Sequence, residues 1–96
     1  MTTGTVILIN ILKVEAGNQA ALIALLKANV ESVVSKLAGW RGTKLIAARD
    51  GGSVAIYSEW DSQAAVDAMR ADPHMQAYFP RIRELASFES ILGELA

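Results

Sequence analysis

The stretch VAIYSEWDSQAA, residues 54–65, decides the fold because it joins a strand to the start of a helix. Its first seven residues are rich in β-branched and aromatic side chains, which is typical of a strand. Asp61 or Ser62 can cap the helix that follows, because a side-chain oxygen can accept from an orphan N–H of the first turn. The pattern therefore predicts a strand that ends at Trp60 and a helix that begins directly after it.

A second helix start lies further along the chain, at Asp72-Pro73. Asp72 suits the N-cap, and Pro73 suits the first helical position, where no backbone N–H is needed. We expect this helix to run to about Leu85 and to be broken or kinked near Pro80. The single histidine of the chain, His74, is then expected in the first turn of a helix.

The remaining elements follow from the same kind of periodicity. We expect Gly39 to end the first helix and Asp50-Gly51-Gly52 to form a hairpin turn. The predicted strands are 5–14, 40–49, 53–60 and 86–95, and the predicted helices are 18–37, 62–71 and 73–85. This β-α-β-β-α-β order predicts a ferredoxin-like α+β fold in a single domain, residues 1–96.

Composition and charge exclude several classes of function. The 96 residues carry a net charge of −1 with the charges scattered, so there is no basic patch for nucleic acid. The absence of cysteine removes disulfides and thiolate chemistry. The sequence has no metal-ligand spacing, phosphate loop or catalytic triad, and no signal peptide or apolar run long enough to span a membrane. We therefore expect a cytoplasmic protein that binds neither metal, nucleic acid nor membrane.

The first three strands carry apolar residues at both odd and even positions, which predicts a sheet buried on both faces. Right-handed crossovers put the helices on one face only. The other face would then expose more than the roughly few hundred Å² of apolar surface that monomers tolerate. We therefore expect a homodimer in which two copies pack sheet against sheet across this open face.

Three motifs together resemble the antibiotic-biosynthesis monooxygenase family, and most closely its quinol-monooxygenase-like members. They are the Glu-Trp at 59–60, the Asp-Ser at 61–62 and the Asp-Pro-His-Met-x-x-Tyr motif at 72–78, and the resemblance extends over about residues 6–92. It implies a dimeric α+β barrel with a pocket between the sheet and the helices of each subunit. It also implies a monooxygenase that oxidises a small phenolic or quinol-type aromatic substrate with O2 and uses no cofactor.

The resemblance assigns the catalytic roles to His74, Asn10 and Trp60. His74 would be the general base, since histidine titrates near neutrality and a helix N-terminus favours the neutral imidazole. Asn10 and Trp60 would donate hydrogen bonds to the substrate anion. Without the resemblance, the Asn10 side chain could equally form hydrogen bonds to the backbone, and Trp60 could equally be an aromatic residue that packs in the hydrophobic core. Arg81 and Arg83 are interpreted as solvated charges, with an entrance rim as the alternative.

Four further residues are expected to bind the substrate. Ile56, Met69 and Tyr78 would form an apolar wall, and Ser58 would contact the substrate beside them. Tyr78 lies one helical turn beyond His74 on the same face, so we expect the two to share the pocket.

Several positions depart from the patterns of relatives. Some quinol-oxidising relatives have a second histidine at the place of Met69, and polyketide-oxidising relatives have asparagine and tyrosine at the places of Ile56 and Val66. These losses leave open an alternative, a non-enzymatic dimeric barrel that binds a small hydrophobic metabolite. Haem binding or degradation comes third, because Phe79 stands where the haem-degrading branch has its haem-binding histidine.

Overall fold

The computed structural model describes residues 5–95, in which four strands form one antiparallel sheet and three helices pack on one of its faces. The strands are β1 (Val6–Val14), β2 (Trp40–Ala47), β3 (Ser53–Trp60) and β4 (Ala86–Gly93), and the helices are α1 (Gln19–Ser32), α2 (Gln63–Ala71) and α3 (Pro73–Leu85). The order in the sheet is β2-β3-β1-β4, with every neighbouring pair antiparallel. This topology confirms the predicted ferredoxin-like α+β fold.

The first helix is shorter than the sequence predicts. α1 ends at Ser32, and the chain then makes a 3₁₀ turn, Val34–Lys36, before Gly39. Val33 and Val34 are both buried although they are adjacent in sequence. A regular helix would turn one of them about 100° away from the other, so the chain leaves the α-helix to bury both.

Gly39 allows β2 to begin close to the start of α2. Its φ is +86°, and a Cβ at this position would lie 2.5 Å from the Cβ of Ala65. The carbonyl of Gly39 accepts a hydrogen bond from the backbone N–H of Asp61 at 2.7 Å. The predicted glycine is therefore required here by both backbone conformation and space, although it follows the 3₁₀ turn and not α1.

Both predicted helix starts are capped by side chains. The Ser62 hydroxyl accepts from the backbone N–H of Ala65 at 3.2 Å, so Ser62, rather than Asp61, caps α2. The carboxylate of Asp72 accepts from the backbone N–H groups of His74 and Met75 at 2.8 and 3.2 Å. α3 can therefore begin at Pro73, two residues after α2 ends at Ala71.

Pro80 lies inside α3 and does not break it, so of the two expected outcomes, a break or a kink, the break is wrong. Proline has no backbone N–H, so the carbonyl of Gln76 loses its usual partner four residues later. The flanking Phe79 and Ile82 pack against the hydrophobic core and hold the helix in place through Leu85.

Two hydrophobic clusters lie between the helices and the sheet. The aliphatic cluster comprises Leu12, Val14, Leu22, Leu26, Val54, Ile82 and Ala86. The mixed cluster comprises Leu8, Val33, Val34, Trp60, Val66, Met69 and Met75. Even-numbered residues of β1 and β3 supply the sheet side of both clusters, because alternate strand residues point to the same face.

The opposite face of the sheet is open in the single chain. Odd-numbered residues of β1 and β3 lie there, with Ile9 opposite Tyr57 in the strand register. Ile11, Ile46 and Ile91 are 37%, 57% and 63% exposed.

Within residues 5–95, no helix has both the length and the apolar character needed to cross a membrane.

Candidate functional site

A cavity of about 80 Å³ lies between the sheet and the helices, where the two hydrophobic clusters meet. This is room for several water molecules, at roughly 10–15 Å³ each on the same measure. Its walls are mainly apolar. The polar side chains among the described lining residues are Asn10, Asn29, Thr43 and Ser58, together with the indole of Trp60.

Trp60 and Ser58 form a buried hydrogen-bond chain at one wall of the cavity. The indole N–H of Trp60 donates to the Ser58 hydroxyl at 3.1 Å, and that hydroxyl donates to the carbonyl of Leu8 at 3.2 Å. Trp60 is 1% exposed and Ser58 is 4% exposed. The indole N–H is thus engaged within the protein, and its predicted role as a donor to a substrate anion stays a prediction.

Asn10 lies in the middle of β1, opposite Ile56 of β3 and Ser90 of β4. Its half-buried side chain lines the cavity, and its Oδ1 accepts a hydrogen bond from the Ser90 hydroxyl. Its Nδ2 makes no hydrogen bond to another side chain or carbonyl within residues 5–95. The donor end of the amide is therefore available to a ligand.

Ile56 and Met69 also line the cavity, so five of the predicted site residues come together there: Asn10, Ile56, Ser58, Trp60 and Met69. The three that lie on β3 share a face because they occupy alternate positions. Met69 reaches the cavity from α2 and is 7% exposed. The roles that the sequence assigns to these residues stay predictions.

His74 does not line the cavity. Its side chain is 81% exposed, and its Nδ1 lies 3.6 Å from Oδ1 of Asp72. α3 presents Met75, Phe79 and Ile82 to the cavity, at spacings of four and three residues, which leaves His74 on an outer face. The side chain of the predicted base is therefore exposed to solvent, whereas that of the next residue, Met75, lines the cavity.

Tyr78 also lies outside the cavity lining. Its hydroxyl is within 3.3 Å of the Ser32 hydroxyl, and the guanidinium of Arg81 lies 5.1 Å from its ring centroid. Its ring packs against both hydrophobic clusters. Tyr78 thus joins α3 to α1, and the structure does not bring it together with His74 around the cavity.

Sequence reasoning missed two polar side chains of the cavity. Asn29 of α1 is 5% exposed, and its Nδ2 lies 3.3 Å from the sulfur of Met75. Thr43 of β2 accepts from the indole N–H of Trp40 at 2.8 Å. The signal for Asn29 was its position three residues after Leu26, where an amide occupies the apolar stripe of the helix.

A basic recess of about 280 Å³ adjoins the cavity on the side of β4. It is lined by Leu8, Asn10, Met69, Arg70, Gln76, Phe79, Arg83, Phe88 and Ser90. Five of these residues also line the cavity: Leu8, Asn10, Met69, Phe79 and Phe88. The cavity and the recess are therefore adjacent, with these five side chains at their boundary.

Titratable groups are distributed unevenly between the cavity and the recess. Among residues 5–95, no aspartate, glutamate, histidine, lysine, arginine or tyrosine lines the cavity, whereas two arginines line the recess. In the same part of the chain, no three metal-binding side chains cluster together. The cavity can thus supply apolar contacts and neutral hydrogen bonds, and the recess can supply positive charge.

Comparisons with known proteins agree with the fold and identify the family. A family model for antibiotic biosynthesis monooxygenases matches residues 5–81. The chain is 30% identical over 88 residues to tetracenomycin-F1 monooxygenase of Streptomyces glaucescens, which covers 92% of this chain and 79% of that protein.

Two solved structures share the fold at low sequence identity. A variant of SnoaB, a cofactor-independent oxygenase from Streptomyces nogalater, superimposes with a TM-score of 0.85 at 21% identity, over 95% of this chain and 92% of that one. Rv0793 from Mycobacterium tuberculosis gives a TM-score of 0.84 at 24% identity, over 97% and 96%. Because the family model spans most of the residues and a named relative matches nearly the whole length, this chain belongs to the antibiotic biosynthesis monooxygenase family.

Proposed function

We propose that this protein is a monooxygenase that oxidises a small phenolic or quinol-type aromatic with dioxygen, using neither flavin nor metal. The observation that carries the proposal is the cavity, with mainly apolar walls and polar groups from Asn10, Thr43 and Ser58 on the sheet. Apolar walls suit an aromatic ring, and a few polar groups can fix a hydroxyl oxygen. Similarity to proteins named as a monooxygenase and a cofactor-independent oxygenase supports the same reaction class.

The reaction balances without a cofactor when the substrate supplies the electrons. In an anthrone-type phenol the ring CH2 group loses its two hydrogens and becomes a carbonyl. One oxygen atom of O2 enters that carbonyl, and the other leaves as water together with those hydrogens. The oxidation starts from the deprotonated substrate, because the anion gives an electron to dioxygen more readily than the neutral phenol does.

Asn10 is the residue best suited to hold the substrate anion. Its Oδ1 is engaged by Ser90, which leaves Nδ2 as a donor at the cavity wall. The Trp60 N–H is already donated to Ser58, so a substrate oxygen would have to compete with that bond. We therefore assign the anion to Asn10 and a ring-packing role to the Trp60 indole.

The proton that the substrate loses has no titratable acceptor among the described residues that line the cavity. His74 lies outside that lining with its side chain 81% exposed. It can act as the base only if water relays the proton to it, and otherwise the proton passes to solvent. A substrate acidic enough to ionise with little help suits this arrangement better than one that needs a strong base.

Oxygen uptake by the purified protein, stripped of flavin and metal, tests the proposal. We expect dithranol or one of several substituted hydroquinones to be consumed faster than in buffer. Label from isotopic dioxygen should appear in the new carbonyl of the dithranol product, or in the hydroxyl added to the ring of a hydroquinone, and the second oxygen atom should leave as water. Heat-unfolded protein is the control for uncatalysed autoxidation. If no phenol or quinol of such a panel is turned over above that control, the proposed reaction is wrong.

We also propose that the open face of the sheet pairs with a second copy of the chain. The side chains of Ile11, Ile46 and Ile91 are exposed on three neighbouring parts of this face, and an uncovered apolar face of this kind is unusual on a monomer. Light scattering at micromolar concentration should give twice the chain mass. Replacing both Ile46 and Ile91 with lysine should give the mass of one chain, and a single-chain mass for the unmodified protein would overturn the pairing.

The second candidate function is binding of a small hydrophobic metabolite without turnover. It is favoured by one observation, the lack of a titratable side chain among the described residues of the cavity lining. A thermal-shift screen followed by oxygen-uptake assays on each hit separates the two functions. Stabilising ligands that are never oxidised would favour this candidate over the monooxygenase.

A further inference from the structure

The basic recess is lined by two arginines and by no described aspartate or glutamate. Arg70 lies in the last turn of α2, and Arg83 lies in the last turn of α3. No aspartate or glutamate of residues 5–95 lines the recess or lies within 4.0 Å of either guanidinium group. Two arginines on one recess with no carboxylate beside them give it a positive potential, which favours a bound anion.

Arg83 is held at the boundary between the recess and the cavity. Its guanidinium carbon lies 5.8 Å from the ring centroid of Phe79 and 5.7 Å from that of Phe88. Both rings also line the cavity. Contact with two aromatic rings restricts a side chain that would otherwise be free in solvent, and so directs its charge to this boundary.

The backbone that carries Arg70 is tied to α3. The side-chain amide of Gln76 donates a hydrogen bond to the carbonyl of Arg70 at 2.5 Å. This bond spans the junction between α2 and α3, close to the cap that Asp72 provides. This bond thus links the end of α2, which carries Arg70, to the start of α3, the helix that carries Arg83.

We propose that the substrate is an aromatic acid whose carboxylate binds Arg70 and Arg83 in the recess while its ring lies in the cavity. This inference rests on the proposed function, because it takes the ring of that substrate to occupy the cavity. Arginine is suited to the task because its planar donors match the two oxygens of a carboxylate. The same positive charge favours the ionised form of a phenol on that ring, which lessens the need for a strong base in the cavity.

A matched pair of probes tests the recess without any oxidation. Salicylate and phenol share a hydroxylated ring and differ by one carboxylate, so titration calorimetry at low salt isolates the contribution of the anion. We expect salicylate to bind about tenfold more tightly than phenol, in line with the strength of a charge-assisted hydrogen bond. The preference should shrink as salt is added, because the recess is open to solvent.

Substitution of the arginines then assigns the preference to this site. R70Q and R83Q should each reduce the preference for salicylate, and the double variant should abolish it while phenol binding is kept. R81Q is the matched control, because Arg81 also belongs to α3 and also lies over an aromatic ring, that of Tyr78, but does not line the recess. It should keep the full preference.

Three results would overturn the proposal: salicylate binding no more tightly than phenol, salicylate not binding at all, or R81Q losing the preference as fully as R70Q and R83Q.

The outcome of these binding experiments is independent of catalysis. If the preference holds and no phenol is oxidised, the recess stands and the monooxygenase reaction fails. If phenols are oxidised and the preference is absent, the reaction stands and the recess fails.

Discussion

The two hydrophobic clusters under the helices differ in chemistry. The aliphatic cluster is built from leucine, isoleucine, valine and alanine, and its Leu22 and Val54 are fully buried. The mixed cluster contains Trp60, Met69 and Met75. The buried polar groups Ser58 and Asn29 contact members of the mixed cluster through hydrogen bonds to Trp60 and Met75. One half of the core is thus purely apolar, and the other half is chemically varied.

This difference separates stability from binding. Branched aliphatic side chains pack in few rotamers, which favours a single well-defined core. Methionine is flexible and polarisable, and it adapts to the shape of a neighbour. The cavity lies between the two clusters, and the side chains that adapt come from the mixed one. We therefore expect changes at aliphatic-cluster residues that do not line the cavity, such as Leu22, to act on stability alone and changes in the mixed cluster to act on binding as well.

The largest effect on stability is expected for L22A. Leu22 is 0% exposed and does not line the cavity, so its truncation should lower the free energy of unfolding by about 2–5 kcal/mol. Urea denaturation measures the loss, and L95A is the control, because Leu95 is 81% exposed and should change stability by less than about 0.5 kcal/mol. Ligand affinity of folded L22A should match that of the unmodified protein, and a large change in affinity would contradict the separation.

N10L should show the reverse pattern. Leucine has nearly the shape of asparagine, so the half-buried site should keep most of its stability while the donor Nδ2 is lost. If Asn10 stabilises the substrate anion, the turnover number should fall by roughly 100-fold or more. Oxygen-uptake kinetics measure this, with S90A as the companion variant, since it removes only the partner of Oδ1. Unchanged turnover in N10L would remove Asn10 from the catalytic role.

S58A should affect both properties because Ser58 belongs to the buried chain from Trp60 to Leu8. The buried indole N–H would lose its acceptor, so the free energy of unfolding should fall by about 1–3 kcal/mol. Trp60 emission should change as well, and S35A is the surface control because that hydroxyl is exposed. Equal stability of S58A and S35A would show that the buried chain contributes nothing.

The smallest effect is expected for H74Q. A general base in contact with the substrate contributes about 10²–10⁴-fold to the rate, whereas an exposed side chain outside the cavity should contribute far less. Stability should stay within about 0.5 kcal/mol, because the cap at this helix start uses the backbone N–H of His74 and not its ring. A rate loss of roughly 100-fold would restore the histidine to the role that the resemblance assigns to it.

The fold was predictable because strand alternation and helix caps are local signals. Even-numbered residues on β1 and β3 share a face, and this alternation puts four of the residues suggested by the family resemblance on one side of the sheet: Asn10, Ile56, Ser58 and Trp60. Ser62 and Asp72 fixed the two later helix starts for the same reason, since a cap acts within a few residues.

The orientation of α3 and the basic recess were not predictable from local signals. His74 and Tyr78 share one helix face, but Met75 and Phe79 share the next, and only packing against the sheet decides which face turns inward. The recess depends on Arg70 at the end of α2 approaching β4, a contact between distant parts of the chain. The burial of adjacent valines that shortens α1 is likewise a tertiary effect.

Pro80 makes one segment of α3, the helix that forms part of the cavity wall, easier to bend than the rest of that helix. The backbone carbonyl of Gln76 has no N–H to bind at Pro80, and the turn with this missing bond contains Phe79, which lines both the cavity and the recess. Bending α3 here ruptures one hydrogen bond fewer than bending it elsewhere. A ligand larger than the cavity should therefore bind by displacing this segment of α3 outward. When it binds, amide hydrogen exchange should become faster in this segment and stay slow in the sheet.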